Sequence, residues 1–286
     1  MAAIPVNVRP GRRRSRSVRK AIIATVAYVV ALIFLLPYVE MVITALRPPA
    51  ELLDHDYLPH HFAWSNFTQF WSQGLGHNLN VTLLVAGGST LLVLLVALPA
   101  AYYTARRQFR GRTVFLLLVL VTQMFQPTSL LVGIYREFFS LHLLDSVLAL
   151  ILVNAGFNLA FAVWILNAYF SSIPAELEEA AMVDGTSRIG ALFRITLPLA
   201  MPGIVTALIF TFIGAWNELL VALTFTSGES NSRQPVTVNL NSYIGQYSID
   251  WGHVFAGSVI ATLPVIALFA FIEGRVVGGL TAGSIK

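Results

Sequence analysis

Residues 174–198 read Pro174-Ala175-Glu176-Leu177-Glu178-Glu179-Ala180-Ala181-Met182-Val183-Asp184-Gly185, then nine residues, then Ile195-Thr196-Leu197-Pro198. This polar insert lies between two apolar runs, each long enough to cross a bilayer. Pro174 has the fixed φ that suits a first helical position. Glu176, Glu178 and Glu179 follow in the opening turns, where carboxylates are favoured by the helix dipole. Ala180 and Ala181 would give a smooth face at which another protein can approach closely. Gly185 stands where a helix ends with positive φ, turning the chain. A second short helix is predicted from about Ser187, with Ile189, Leu192 and Phe193 as an apolar stripe lying back on the rest of the protein. Pro198 then restarts the next apolar run.

Working outward, the composition of 56% hydrophobic and 11% charged residues over 286 positions departs far from the roughly 25% charge of a soluble domain. The chain is predicted to be an all-α polytopic membrane protein. Six runs approach or exceed the ~20 residues needed for a span: 21–45, 79–104, 113–135, 146–170, 199–225 and 254–272. The bilayer offers the backbone no hydrogen-bonding partner, so such runs must be helical. The first follows a basic tail, residues 1–20. It exceeds the ~7–15-residue core of a signal peptide, and no small-residue cleavage site closes it. The chain has no cysteine, so disulfides and thiolate metal sites are excluded.

Charge placement sets the orientation. With the N-terminus cytoplasmic, every Lys and Arg except Arg47, Arg136 and Arg233 falls on the cytoplasmic side. That is the asymmetry the positive-inside rule requires, and it places both termini in the cytoplasm. The formal charge of +4 is thereby a matter of topology, with no basic-aromatic face for nucleic acid. Outside, Trp64, Phe67, Phe70 and Trp71 are spaced for a short amphipathic helix at the lipid headgroups. The loop from Ser227 to His253 is long for a connection and is available to a partner. All six histidines fall in outer segments, and the adjacent His60-His61 has no zinc-site spacing.

Polar side chains within the spans mark a translocation path. Gln123 and Gln126 lie beside Pro127, which can kink the third span, and Asn154 and Asn158 share a face of the fourth. Amides both donate and accept, which suits a neutral polyol, although helix-to-helix hydrogen bonds would use the same groups. Trp216-Asn217-Glu218 places a carboxylate in the outer half of the fifth span, where it lines a path or is hydrated near the interface. No cation lies within the six spans, which favours a neutral solute over a phosphorylated one.

The seven fixed positions of the insert, Glu179, Ala180, Ala181, Gly185, Ile195, Leu197 and Pro198, would coincide by chance at roughly one start in ten million. Their spacing resembles the cytoplasmic loop of ABC importer permeases. The chain as a whole resembles carbohydrate importer permeases of the maltose and glycerol-phosphate type. Asn66-Phe67, the Arg106–Arg112 turn with Gly111, Ile173-Pro174, Asp184-Gly185, Trp216-Asn217-Glu218 and the ending Gly279–Lys286 carry that resemblance. It implies a type I importer architecture in which this subunit pairs with a second, homologous permease. A cytoplasmic ATPase dimer would dock on residues 174–198, with Asp184 among the coupling residues. An extracytoplasmic binding protein would deliver the sugar. The ATP and magnesium would belong to the ATPase, with no cofactor or metal in this chain. In agreement, the two lysines, Lys20 and Lys286, stand in no phosphate-binding loop.

Two rival classes are distinguishable. An ion-driven secondary carrier would show broken helices and an ion-coupling carboxylate near the membrane midplane. An intramembrane enzyme would need a nucleophile with its base, or metal ligands, at membrane depth, and no span contains histidine. Neither accounts for the insert.

Overall fold

The computed structural model describes residues 11–52, 56–226, 233–245 and 247–282, with side chains placed from 19 to 272 within those ranges. The start of the basic tail, His55, part of the long outer loop and the last four residues of the chain lie outside the described residues.

Among the described residues every extended element is a helix: α1 (Gly11–Ala45), α2 (Ser65–Phe70), α3 (Gly76–Arg106), α4 (Arg112–Thr122), α5 (Pro127–Ser140), α6 (Val147–Ser172), α7 (Glu176–Val183), α8 (Arg188–Ala191), α9 (Leu197–Leu199), α10 (Met201–Trp216), α11 (Leu220–Phe225), α12 (Val236–Ser242) and α13 (Trp251–Ala282). Four helical stretches are long and apolar enough to cross a membrane, and the number rises to six if each of two bent pairs is one span.

The third run is kinked where Pro127 predicts, and the fifth departs from a single continuous helix. The third run divides into α4 and α5 at an angle of 95°, because Pro127 cannot donate to the helix behind it. The fifth run begins later than residue 199: the chain turns by 72° at Ala200, between Pro198 and Pro202. It breaks again over Asn217–Leu219 before α11. The second run continues backwards through a π-helical turn, Trp71–Leu75, into α2. At the end of α2 Phe70 is buried, while the flanking Trp64 and Trp71 stay exposed, as an interfacial helix requires.

The core is made by α3, α6 and α10. Val93, Ala97 and Ala101 of α3 meet Ala155, Ala162, Val163, Leu166 and Phe170 of α6, and Ala200 and Ala207 on or beside α10. In lipid there is no hydrophobic drive between helices, so small residues that let backbones approach supply the packing. Gly203 is the tightest case, since a Cβ there would lie 2.3 Å from Tyr169 Cγ. By contrast, the apolar stretch of α1 is unburied among the described residues, although the helix runs against α13, and hydrogen bonds hold its end. Ala63 N–H donates to Leu46 O, and Asn66 Nδ2 donates to Ala45 O at 2.9 Å and Arg47 O at 3.1 Å. The segment that leads into α12 is pinned to α3 by Asn78 Nδ2 on Gln234 O and by Val236 N–H on Thr82 Oγ1.

Candidate functional site

The insert folds as two short helices joined by a tight turn. α7 starts two residues after Pro174. It ends in paired hydrogen bonds, Gly185 N–H to Met182 O and Thr186 N–H to Ala181 O. This is a Schellman closure, and Gly185 supplies it with φ +88°. Ser187 then caps α8, its Oγ accepting from Gly190 N–H at 3.1 Å. A π-helical turn, Leu192–Thr196, leads into Leu197 and Pro198.

The faces of the insert differ from expectation in two places. Ile189 and Phe193 are exposed rather than laid back on the membrane body, and Ala191 and Thr196 are buried instead. The pair Ala180-Ala181 is divided, with Ala180 exposed and Ala181 buried. Glu179, Asp184 and Gly185 are exposed with Ala180, whereas Ile195 and Leu197 are half-buried and Pro198 is exposed.

Glu178, one residue before the motif, is the group that sequence reasoning missed. Its side chain is 11% exposed and forms an ion pair with Arg106, whose Nε donates at 2.7 Å. Tyr102 Oη donates to the same carboxylate at 2.8 Å and Thr196 Oγ1 at 2.6 Å. Arg106 Nη1 in turn donates to Ile173 O at the end of α6, at 2.7 Å, and Tyr102 meets Phe170 edge to face. Burial acts to raise the Glu178 pKa. The hydrogen bonds from Thr196, Tyr102 and Arg106 and the Arg106 charge outweigh it, and the carboxyl is held below the usual value. Two signals in the sequence pointed here. Tyr102 and Arg106 stand at i and i+4 at the end of α3, and Glu178 shares a helical face with Ala181.

At the other end, a cavity of about 540 Å³ lies between α5, α6 and the α10–α11 break, within the roughly 300–1,000 Å³ of small-molecule sites. Gln126, Asn154, Asn158, Asn217 and Glu218 line it together. Gln123 lines the neighbouring cavity across Phe157 and Pro127. Trp216, 5% exposed, borders a third cavity with Tyr38, Thr237 and Ser258, and Asn217 is common to the first and third.

Hydrogen bonding limits what these groups can do. Asn154 Nδ2 donates to Leu150 O and Asn158 Nδ2 to Asn154 O, so both amides bond back along their own helix rather than across to another. Glu218 folds forward onto the first turn of α11, accepting from Val221 N–H at 2.7 Å and Ala222 N–H at 2.9 Å, and its backbone carbonyl accepts from Thr237 Oγ1. The carboxylate is therefore satisfied by the break in the span. Among the described residues no group of three or more His, Cys, Asp or Glu is arranged to hold a metal. His60 and His253 each pair instead with an aspartate, Asp56 and Asp250.

Helices apolar and long enough to cross a bilayer, a polar insert clasped at one end and a polar cavity beside bent spans point to a polytopic membrane transport subunit. Residues 2–277 match the family described as binding-protein-dependent transport system inner membrane component, and the chain belongs to that family. It is 38% identical to the sulfoquinovosyl glycerol transport system permease protein SmoH of Agrobacterium fabrum, over 88% of this chain and 89% of that one. It is 30% identical to the trehalose/maltose transport system permease protein MalG of Thermococcus litoralis, over 96% of this chain and 99% of that one. Among solved structures it is similar to a bacterial ABC transporter involved in the import of the acidic polysaccharide alginate. The TM-score is 0.74 at 22% identity, covering 95% of this chain and 99% of that chain, a likeness of fold.

Proposed function

We propose that this chain is one of two membrane-spanning subunits of an ATP-driven importer of a neutral sugar in the bacterial inner membrane. It makes six spans, counting each bent pair as one, with both termini cytoplasmic. The insert 174–198 is the surface on which a separate ATPase docks, through Glu179, Ala180, Asp184 and Gly185. Ala181, Ile195, Leu197 and Pro198 shape the insert and return the chain to the membrane. ATP and magnesium belong to the ATPase, and an extracytoplasmic binding protein delivers the solute. A second, homologous permease covers the exposed apolar faces of α1 and α4.

The observation that carries this reading is the two-sidedness of the insert: one face is clasped to the spans through Glu178, and the other leaves Glu179, Ala180, Asp184 and Gly185 exposed. The relatives SmoH and MalG, named for a sugar glycerol and for disaccharides, support a sugar as the solute. So does the cavity lined by Gln126, Asn154, Asn158 and Asn217, whose only charged member, Glu218, already has both oxygens bonded. Gln123 and Trp216 would extend the path on either side. Bent spans alone do not favour a secondary carrier, because no free carboxylate in this cavity is left to couple an ion.

The test is purification of the tagged chain from native membranes in mild detergent. The expected result is recovery of an ATPase, a second permease and a sugar-binding protein, with the ATPase lost when Glu179 and Gly185 are replaced. Recovery of the chain alone, active in uptake driven by an ion gradient, would refute the reading.

A further inference from the structure

Adjacent glutamates on α7 differ in their surroundings. Glu179 is exposed and makes no side-chain hydrogen bond among the described residues, whereas Glu178 gathers three donors. Those donors come from different parts of the chain: Tyr102 and Arg106 from the cytoplasmic end of α3, and Thr196 from the turn that leads into α10. Through Arg106 the end of α6 joins them at Ile173 O. One carboxylate thus ties the insert to the end of α3 and, through Arg106, to the end of α6, and it fastens α7 to the turn that leads out of the insert towards α10.

The packing makes this tie the decisive one. α7 packs chiefly against α8 and the π-helical turn, both within the insert. Its connection to α3 runs through the long side chains of Tyr102 and Arg106. A coupling element held to its neighbour only by side chains transmits as much displacement as those side chains resist, and charge-assisted hydrogen bonds are the stiffest available. Removing the carboxylate would also leave the guanidinium of Arg106, 12% exposed, buried without a counter-charge.

We infer that Glu178 is the positioning residue that transmits movement of the insert to the spans, dividing the work with Glu179, which faces the docking partner. The inference rests on the importer reading and adds to it the mechanical link on the membrane side.

The experiment uses the full complex in lipid nanodiscs or proteoliposomes and measures solute moved per ATP hydrolysed, normalised to assembled complex. Glu178→Gln is expected to lower that ratio on the order of ten-fold, within the span usual for coupling between sites. Tyr102→Phe and Thr196→Val, which keep the ion pair and remove one donor each, are expected to lower it less. Arg106→Gln combined with Glu178→Gln is expected to be no worse than Glu178→Gln alone, because the two residues act as one unit. A residue that merely held the fold together would reduce the amount of complex and leave the ratio untouched, and that result would overturn the inference while the importer reading stood. Where Glu178→Gln fails to assemble, wild-type ratios in both Tyr102→Phe and Thr196→Val would overturn it equally. A wild-type complex whose ATP hydrolysis ignores the binding protein would sink the importer reading and this inference with it.

Discussion

Replacing Gly185 separates two reasons why a glycine can matter. Its φ of +88° is a left-handed conformation, and a Cβ built there meets nothing within 4 Å. Within this chain the cost of a side chain is therefore conformational rather than steric. For alanine the left-handed conformation costs roughly 1–2 kcal/mol. At 1.4 kcal/mol per decade, that lowers the population of the closed turn about five- to thirty-fold relative to its alternatives. Asparagine adopts this conformation most readily after glycine and valine least. Uptake of labelled sugar into vesicles carrying the complex should accordingly fall in the order Gly185→Asn, Gly185→Ala, Gly185→Val. Gly185→Val should uncouple ATP hydrolysis from transport by opening the hydrogen bonds to Met182 and Ala181. If Gly185→Asn were as defective as Gly185→Val, the missing Cβ would matter for contact with the ATPase and the backbone argument would be refuted. Unimpaired uptake by Gly185→Val would refute the assignment of the turn altogether.

Other consequences can be measured separately. Gly203→Ala places a methyl 2.3 Å from Tyr169 Cγ and should destabilise the chain by about 1–3 kcal/mol, read as a lower melting temperature in detergent; an unchanged melt would disprove the close approach of α10 and α6. Asn66→Ala removes both donors to the carbonyls at the end of α1 and should cost about 1–3 kcal/mol, seen as faster proteolysis of the 46–64 segment. The Glu178 carboxyl titrates below the usual 4.5, so its contribution is complete above that value and is lost as pH falls through the lower folded-state pKa. Hydrogen exchange of 176–199 should be level from pH 8 to 6 after correction for intrinsic rates and should lose protection only below about 4.5, a step absent in Glu178→Gln; loss beginning above pH 6 would contradict the assignment. Asn154→Leu should slow uptake without changing assembly if its carbonyl oxygen serves the cavity, and equal uptake rates would remove it from the path.

Features set by neighbours in sequence were legible before the structure. The end of α7 at Gly185 and the capped start of α8 at Ser187 follow from short-range chemistry, as does the bend at Pro127. Features set by distant partners were not. Which of Glu178 and Glu179 turns inward depends on where the end of α3 lies, some seventy residues earlier in the chain, and adjacent helical positions differ by only about 100°. The same holds for Ile189 and Phe193. Their apolar spacing is real, yet Ala191 and Thr196 take the inward side and leave that stripe exposed.

The seven polar candidates in the spans show how far residue type can carry such an argument. Donor and acceptor capacity made Asn154 and Asn158 prospects, and the placing of a carboxylate in a span made Glu218 one, but the backbone engages part of each. The two asparagines each give one N–H to a carbonyl one turn back and retain a second N–H and the carbonyl oxygen, while the oxygens of Glu218 accept from the N–H groups left open where the span breaks. What remains for a solute in this cavity is an acceptor oxygen and one N–H from each of these asparagines, with the more exposed Gln126 and Asn217. Hydroxyl donors satisfy such acceptors over a broad range of angles. On the proposed reading, a cavity of this kind accepts a neutral polyol readily and discriminates weakly among sugars, so selectivity has to come from the protein that delivers the solute.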